Sequence, residues 1–282
     1  GTIQPQDLDD EDFSLTIDKA NYFAFKVDDI EEAHSHVNFQ DLASDRAAYR
    51  LADQFDQDVL GYLSGYKQSA LHGAANAVNT TVNGSVAVST AATNELLASM
   101  QVDAADFNSG TSGNSIVAVP RASGDSLNTT TAKASPLSII ARMSRKLDQQ
   151  NVDTTGRWLV VDPVFAELLQ DEDSRLLNSD FGGSGLQNGL ILNNVHGFKV
   201  YMSNNLPAVG NGATGATSTG STHFGVIVGG HSSAVATADS INKTETYRDP
   251  DSFADIVRGM HMYGRKILRP EALTRAIYVS GI

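Results

Sequence analysis

Histidines and serines near glycine-rich turns are the candidate catalytic or metal-binding residues of this 282-residue chain. One residue separates His34 from His36, which would place both imidazoles on one face of a strand. No third or fourth metal ligand follows at a matching spacing. The run 229–233, Gly-Gly-His-Ser-Ser, could present backbone amides to an anion. Neither this run nor Gly-Gly-Ser-Gly at 182–185 has the spacing of a nucleophile elbow, a P-loop or a dinucleotide fingerprint. The sequence therefore predicts no catalytic centre and no cofactor, with a hydrolase built on His231 as an alternative.

Composition narrows the class of protein. The absence of cysteine excludes disulfides and thiolate metal ligands. The hydrophobic content of 41% is ample for a core, but no apolar run approaches the roughly 20 residues of a membrane-spanning helix. A net charge of −13 argues against tight direct binding of nucleic acid, which needs a basic footprint. Strong helix and strand patterns without a site favour a structural or assembly protein.

The charge is distributed unevenly along the chain. Acids outnumber bases within residues 1–60, whereas the two are nearly balanced within residues 223–282. Such a chain suits head-to-tail contact between copies, although both ends could equally be solvated surface. The candidate contact residues are acidic at the front and basic near the end: Asp9, Asp10, Glu11, Asp12, Arg258, Arg265, Lys266 and Arg269.

The first half of the chain alternates between strand and helix patterns. Apolar residues alternate over 13–29, which predicts one or two strands with a bend at 19–21. Over residues 39–72 the apolar positions recur at spacings of three, four or seven, which predicts a long amphipathic helix. A short helix over 93–101 and a short strand over 116–119 are predicted within a Gly-, Ser- and Thr-rich region.

The second half has clearer start and stop signals. Ser135-Pro136 opens a predicted helix that ends near Gln150, and Asp162-Pro163 opens another that contains VFAELLQD. The remaining predictions are strands at 157–161, on both sides of a turn at 196–197 and at 224–228, an Ala-rich helix that ends near Ala238, and a strand-rich tail over 251–279.

The order of these elements resembles that of the major capsid proteins of tailed bacteriophages, which share the Hong Kong 97 type fold. The stretches that carry the resemblance are LTIDKANYFAFKVDDIEEA, GRWLVVDPVFAELL, NGLILNNVHGFKVYMSNNLP and FADIVRGMHMYGRKILRPEAL. It covers residues 13–279, and no single motif in it is as specific as a metal signature.

The resemblance implies an α+β fold in four parts. Residues 1–38 correspond to an acidic N-terminal segment and the returning limb of the extended loop. Residues 39–156 correspond to the peripheral domain with its spine helix (39–72), 157–240 to the axial domain, and 241–282 to peripheral-domain strands and the C-terminus. The family's N-terminal arm and outgoing limb are short or absent here, so we expect a segment to precede Gly1.

The resemblance also implies a function. The chain would be the shell protein of a double-stranded DNA phage, assembling with itself into hexamers and pentamers of an icosahedral head. Portal, scaffolding and cement proteins would be partners, DNA would lie nearby, no membrane would be involved, and assembly would take place in the host cytoplasm. Lys19 and Lys26 lie in the limb that some family members cross-link to a neighbour, and they are therefore further candidate contact residues. The alternatives are an encapsulin-type cargo shell and a secreted adhesin or carbohydrate-binding domain.

Overall fold

A computed structural model describes residues 14–28, 39–65, 80–81, 85–86, 96–107, 116–120, 134–170, 194–207 and 222–281. The chain forms two compact units. The smaller comprises residues 1–51 and 236–266, and the larger comprises residues 52–235 and 267–282.

The described elements follow one another in chain order. They are β1 (Lys19–Asp28), α1 (Phe39–Ser64), β2 (Thr80–Thr81), β3 (Ser85–Val86), β4 (Gln101–Val102), β5 (Ile116–Ala118), α2 (Pro136–Gln149), β6 (Arg157–Val161), α3 (Pro163–Gln170), β7 (Lys199–Met202), β8 (Thr222–His231), β9 (Val235–Arg248), β10 (Ala254–Ile267) and β11 (Leu273–Gly281). Single 3₁₀ turns lie at Ala98–Met100, Ala104–Phe107 and Pro270–Ala272.

A three-stranded sheet in the order β1-β10-β9 forms the smaller unit. β1 runs antiparallel to β10, from the pair Lys19↔Tyr263 to the pair Asp28↔Ala254. Side chains alternate along β1, so the odd-numbered ones are half-buried and the even-numbered ones are exposed. The strand runs without interruption from Lys19, so the bend predicted at 19–21 is wrong: backbone pairing to β10 keeps this stretch extended.

A larger sheet in the order β4-β11-β8-β6-β7, with β5 also paired to β11, organises the larger unit. β8 is antiparallel to both β11 and β6, whereas β7 is parallel to β6. The C-terminal strand β11, which the resemblance groups with the peripheral strands, thus pairs with β8 and belongs to the same sheet as β6. Its apolar run is buried on both faces, as expected for a strand inside a covered sheet.

Two helices of the larger unit have the predicted caps. The Ser138 amide donates to Ser135 Oγ at 3.3 Å, and the Phe165 amide donates to Asp162 Oδ1 at 3.3 Å. These bonds satisfy amides that the first turn of a helix leaves unpaired. The helices contribute these buried apolar side chains to the core: Ile139, Ile140, Met143, Leu147, Phe165, Leu168 and Leu169.

The long helix α1 ends earlier than the sequence predicted. It stops at Ser64, and Gly65 follows with a φ of 76°. This left-handed conformation is the usual helix-terminating position for glycine. The predicted continuation over 66–72 lies outside the described residues. None of the helices in the described part of the chain is long and apolar enough to span a membrane.

Two predicted helices are wrong. The Ala-rich stretch before Ala238 lies in β9, which begins at Val235, because pairing to β10 outweighs the weak helix preference of a few alanines. Within the described part of 93–101, only Ala98–Met100 forms a 3₁₀ turn, and Gln101 already belongs to β4. The turn at His196-Gly197 is confirmed, with both residues at positive φ.

A buried arginine ties α2 to β6. The Arg157 side chain donates to Asp148 Oδ1 at 2.7 Å, to Ser144 Oγ at 3.2 Å, and to the carbonyls of Val152 and Asp153 at 2.6 and 2.8 Å. Buried charge is tolerated only when it is paired and hydrogen-bonded, and here the guanidinium has four acceptors. Arg157 therefore fixes the 150–156 turn between the helix and the strand.

Candidate subunit interface

The outward face of the three-stranded sheet carries large side chains that a solvated sheet would not need. Tyr22 is 80% exposed, and its register partner Met260 is 38% exposed. A groove of about 320 Å³ runs beside them, and its other lining residues include Ala24, Gly259 and Arg258. We call this the sheet groove. Exposed apolar side chains around a concavity are typical of a surface that another protein covers.

Three charged side chains border the sheet groove. Glu245 accepts hydrogen bonds from Arg258, at 2.8 Å from Nη2 and 3.1 Å from Nε, and forms an ion pair with Lys243. The hydrogen bonds from Lys243 and Arg258 lower the pKa of Glu245 to about 2. The Arg258 guanidinium also lies 5.0 Å from the ring centroid of Tyr247. The described charges at the groove are therefore two positive and one negative.

The turn between β9 and β10 projects an aromatic side chain. Phe253 is 79% exposed. Asp249 organises this turn: its Oδ2 accepts from Lys26 Nζ at 2.8 Å and from Ser252 Oγ at 2.6 Å, and its Oδ1 accepts from the Asp251 amide. These bonds hold the pKa of Asp249 far below its usual value of 3.8. We call residues 249–253 the hairpin tip.

The structure gives the predicted basic contact residues partners within the chain. Lys19 pairs with Asp18 at 3.0 Å, and Arg269 pairs with Glu271 at 3.1 Å. Lys266 Nζ donates to the carbonyl of Ser14 at 2.9 Å, and Arg265 is half-buried on the same strand. Lys26 pairs with Asp249 at 2.8 Å, and Arg258 pairs with Glu245 at 2.8 Å. The acids Asp9, Asp10, Glu11 and Asp12 lie outside the described residues.

Tyr22, Met260 and Phe253 were not predicted from the sequence as contact residues. One signal was available: Tyr22 and Phe23 are neighbours in an alternating strand, so one of them must face away from the buried side. Phe253 had no such signal, because its exposure depends on a turn that the sequence did not place.

The described histidines His231 and His261 both contact other groups of the chain. His231 Nε2 lies 2.9 Å from the carbonyl of Thr155, while Nδ1 lies 2.8 Å from Ser233 Oγ and accepts from the Ser233 amide. In the tautomer that satisfies these contacts Nε2 donates to the Thr155 carbonyl and Nδ1 accepts from Ser233. His261 contacts Asp239 and stacks on Tyr263. Over the described residues no cluster of three metal-ligating side chains occurs; His34 and His36 lie outside them.

Comparison with known proteins identifies related chains. A family model described as phage capsid protein matches residues 101–276, more than half of the chain. The structure is similar to that of a protein of Mycobacterium phage Che8, with a TM-score of 0.60 at 24% identity over 94% of this chain and 71% of that one. No curated protein sequence matches the chain significantly.

Two further solved structures have the same fold. The capsid of cyanophage P-SCSP1u has a TM-score of 0.57 at 17% identity, over 94% of this chain and 73% of that one. The mature capsid of bacteriophage PhiM1 has a TM-score of 0.56 at 17% identity, over 99% of this chain and 78% of that one.

Proposed function

Because this chain belongs to the phage capsid protein family and is a major capsid protein, we propose that its copies form hexamers and pentamers of an icosahedral head that encloses double-stranded DNA. The observation that carries the proposal is the family match over 101–276, which runs from β4 into β11 and so includes most of the larger sheet. The similarity in fold to the shells of cyanophage P-SCSP1u and PhiM1 supports it.

The fold we assign is the Hong Kong 97 type. The three-stranded sheet and the start of α1 would belong to the peripheral domain, with β1 as the returning limb of the extended loop. The larger sheet would form the axial domain. Because β11 pairs with β8, we would move residues 267–282 from the peripheral to the axial domain.

Self-association is the interaction that a shell requires of its subunit. We propose that the outward face of the three-stranded sheet takes part in self-association. Burial of the exposed Tyr22 and Met260 side chains would remove apolar surface from water and so stabilise the contact. The front acids would add contacts to basic residues of a neighbour. The basic residues concerned are Arg258, Arg265, Lys266 and Arg269, and these side chains also make contacts within their own chain. Exposed ion pairs contribute only about 0.2–1 kcal/mol each, but a shell repeats them many times.

Reversal of charge at Arg265 and Lys266 tests the electrostatic contact. Arg265→Glu with Lys266→Glu should block assembly, whereas the same reversal at Lys199, an exposed residue of β7, should not. Unchanged shells from the double variant would rule out the pairing.

The remaining partners follow from the same proposal. A phage head needs a portal, and scaffolding or cement proteins would assist its assembly in the host cytoplasm. The subunit would have a structural and no enzymatic role. A net charge of −13 suits a container for packed DNA, because an acidic wall does not bind the genome tightly. Lys19 and Lys26 remain candidates for a cross-link to a neighbour.

Electron microscopy of the purified full chain, with its mass from light scattering, tests the main proposal. Closed shells tens of nanometres across are the expected result, and DNA extracted from phage particles would separate a genome container from a cargo shell. A chain that stays a monomer or dimer of 30.0 kDa subunits under all assembly conditions would overturn the proposal. Neither the cargo shell nor the adhesin is favoured by the family match.

A further inference from the structure

We propose that the hairpin tip of one copy of this chain inserts Phe253 into the sheet groove of a second copy. The inference rests on the proposed self-assembly and adds to it which two surfaces meet. Both surfaces belong to the smaller unit, and each exposes large apolar side chains.

The sheet groove is large enough to hold an aromatic side chain. The groove has a volume of about 320 Å³, at the lower end of the range for ligand sites. Its lining includes the large exposed side chains of Tyr22 and Met260 and the small residues Ala24 and Gly259. An aromatic anchor in a pocket, surrounded by less important contacts, is the usual arrangement of an energetically dominant interface residue. Phe253 provides such an anchor, since it projects from a turn that Asp249 holds in place.

The charges are complementary. Lys243 and Arg258 at the groove share one carboxylate, Glu245, which leaves a net positive charge. At the tip, Asp249 is paired with Lys26 and Asp255 with Arg248. The Asp251 carboxylate, two residues from Phe253, has no ion-pair partner among the described residues. Insertion of Phe253 would bring this negative charge next to the positive groove.

The tip cannot fill the groove of its own chain. Phe253 directly precedes β10 and is six positions from Gly259 in that strand, a distance of about 20 Å. The partner must therefore be another molecule. Because the tip and the groove are different surfaces, repeated contacts generate a ring or a continuing array, as the assembly of a shell requires.

A substitution at the tip tests the contribution of the anchor. Phe253→Ser should raise the protein concentration needed for assembly at least tenfold, as measured by light scattering. Tyr49→Ser is the matched control, because Tyr49 is 71% exposed on α1 in the same unit and should change this concentration less than twofold. Both side chains are exposed, so neither substitution should impair folding.

Cysteine cross-linking tests the contact itself, since the chain has no cysteine of its own. Full-length Phe253→Cys is mixed with a tagged Ala24→Cys chain during assembly and then oxidised. A disulfide requires Cα atoms about 4.4–6.8 Å apart, a separation that the proposed contact provides. A disulfide-linked dimer of one tagged and one untagged chain should therefore form, with a mass between those of the two homodimers. Tagged Tyr49→Cys replaces Ala24→Cys in the control mixture, which should give no mixed dimer.

The outcomes separate the two proposals. Shells that form normally from Phe253→Ser, without a mixed dimer in the cysteine experiment, would overturn this contact and leave the capsid function intact. An unmodified chain that forms no particles would overturn the function and this contact with it.

Discussion

The ring of Phe23 lies against the backbone of Gly259, its register partner on β10, so closely that a methyl group at Gly259 would overlap ring atoms. The Phe23 ring also stacks on Phe25, with centroids 6.0 Å apart. The glycine therefore lets the half-buried aromatic row of β1 lie flat across β10.

Replacement of Gly259 by alanine should lower the free energy of unfolding by about 1–3 kcal/mol, the usual cost of overpacking. Urea denaturation of the unassembled subunit measures this. The double variant with Phe23→Ala removes the clash, so its loss should be smaller than the sum of the two single losses. Additive losses would show that the ring and the glycine do not constrain each other.

Replacement of Arg157 by methionine should be more costly than an exposed substitution. The variant leaves the buried carbonyls of Val152 and Asp153 without their donor, and we expect a loss of about 2–4 kcal/mol in urea unfolding. Arg145→Met on the same helix is the control, because its pair with Asp106 is 44% exposed on the arginine side and should contribute less than about 1 kcal/mol. Equal effects would contradict the role of Arg157 in fixing the turn.

The Asp103 carboxyl should make stability fall as pH rises. Burial, and next the nearby Asp106 carboxylate, raise the pKa of Asp103 above 3.8. The folded chain then binds this proton more tightly than the unfolded chain, so the ionised carboxylate destabilises the fold above pH 3.8. Asp103→Asn should raise the urea midpoint at pH 7, and the gain should vanish below pH 3.8. A gain of the same size at both pH values would exclude a titration effect.

The Glu245 carboxylate should act in the opposite direction. Its pKa is lowered from 4.5 to about 2, so its stabilising contacts are complete above pH 4.5 and are lost as the pH falls towards 2. An NMR titration should find its midpoint near pH 2 in the wild type and closer to 4.5 in Arg258→Gln. High salt should raise the midpoint of the wild type as well, because these groups are exposed. A midpoint near 4.5 in the wild type would show that the ion pairs do not form in solution.

The helices, strands and turns that have local sequence signals could be predicted from the sequence. The alternation of β1, the caps at Ser135 and Asp162, the buried run of β6 and the turn at His196 all depend on residues within one or two turns of chain. The order of these elements was enough to indicate the capsid family, which the match over 101–276 confirmed.

The strand pairings and the sheet groove could not be predicted in this way, because they depend on contacts between distant segments of the chain. β9 is a strand because β10 pairs with it, and β11 lies in the larger sheet because β8 does, although each could have been assigned elsewhere from its own residues. The groove needs Tyr22 and Met260 to be opposite each other across a register that links positions more than 200 residues apart. Such contacts depend on which strands meet, and strand pairing is settled by packing between distant segments and not by local preference.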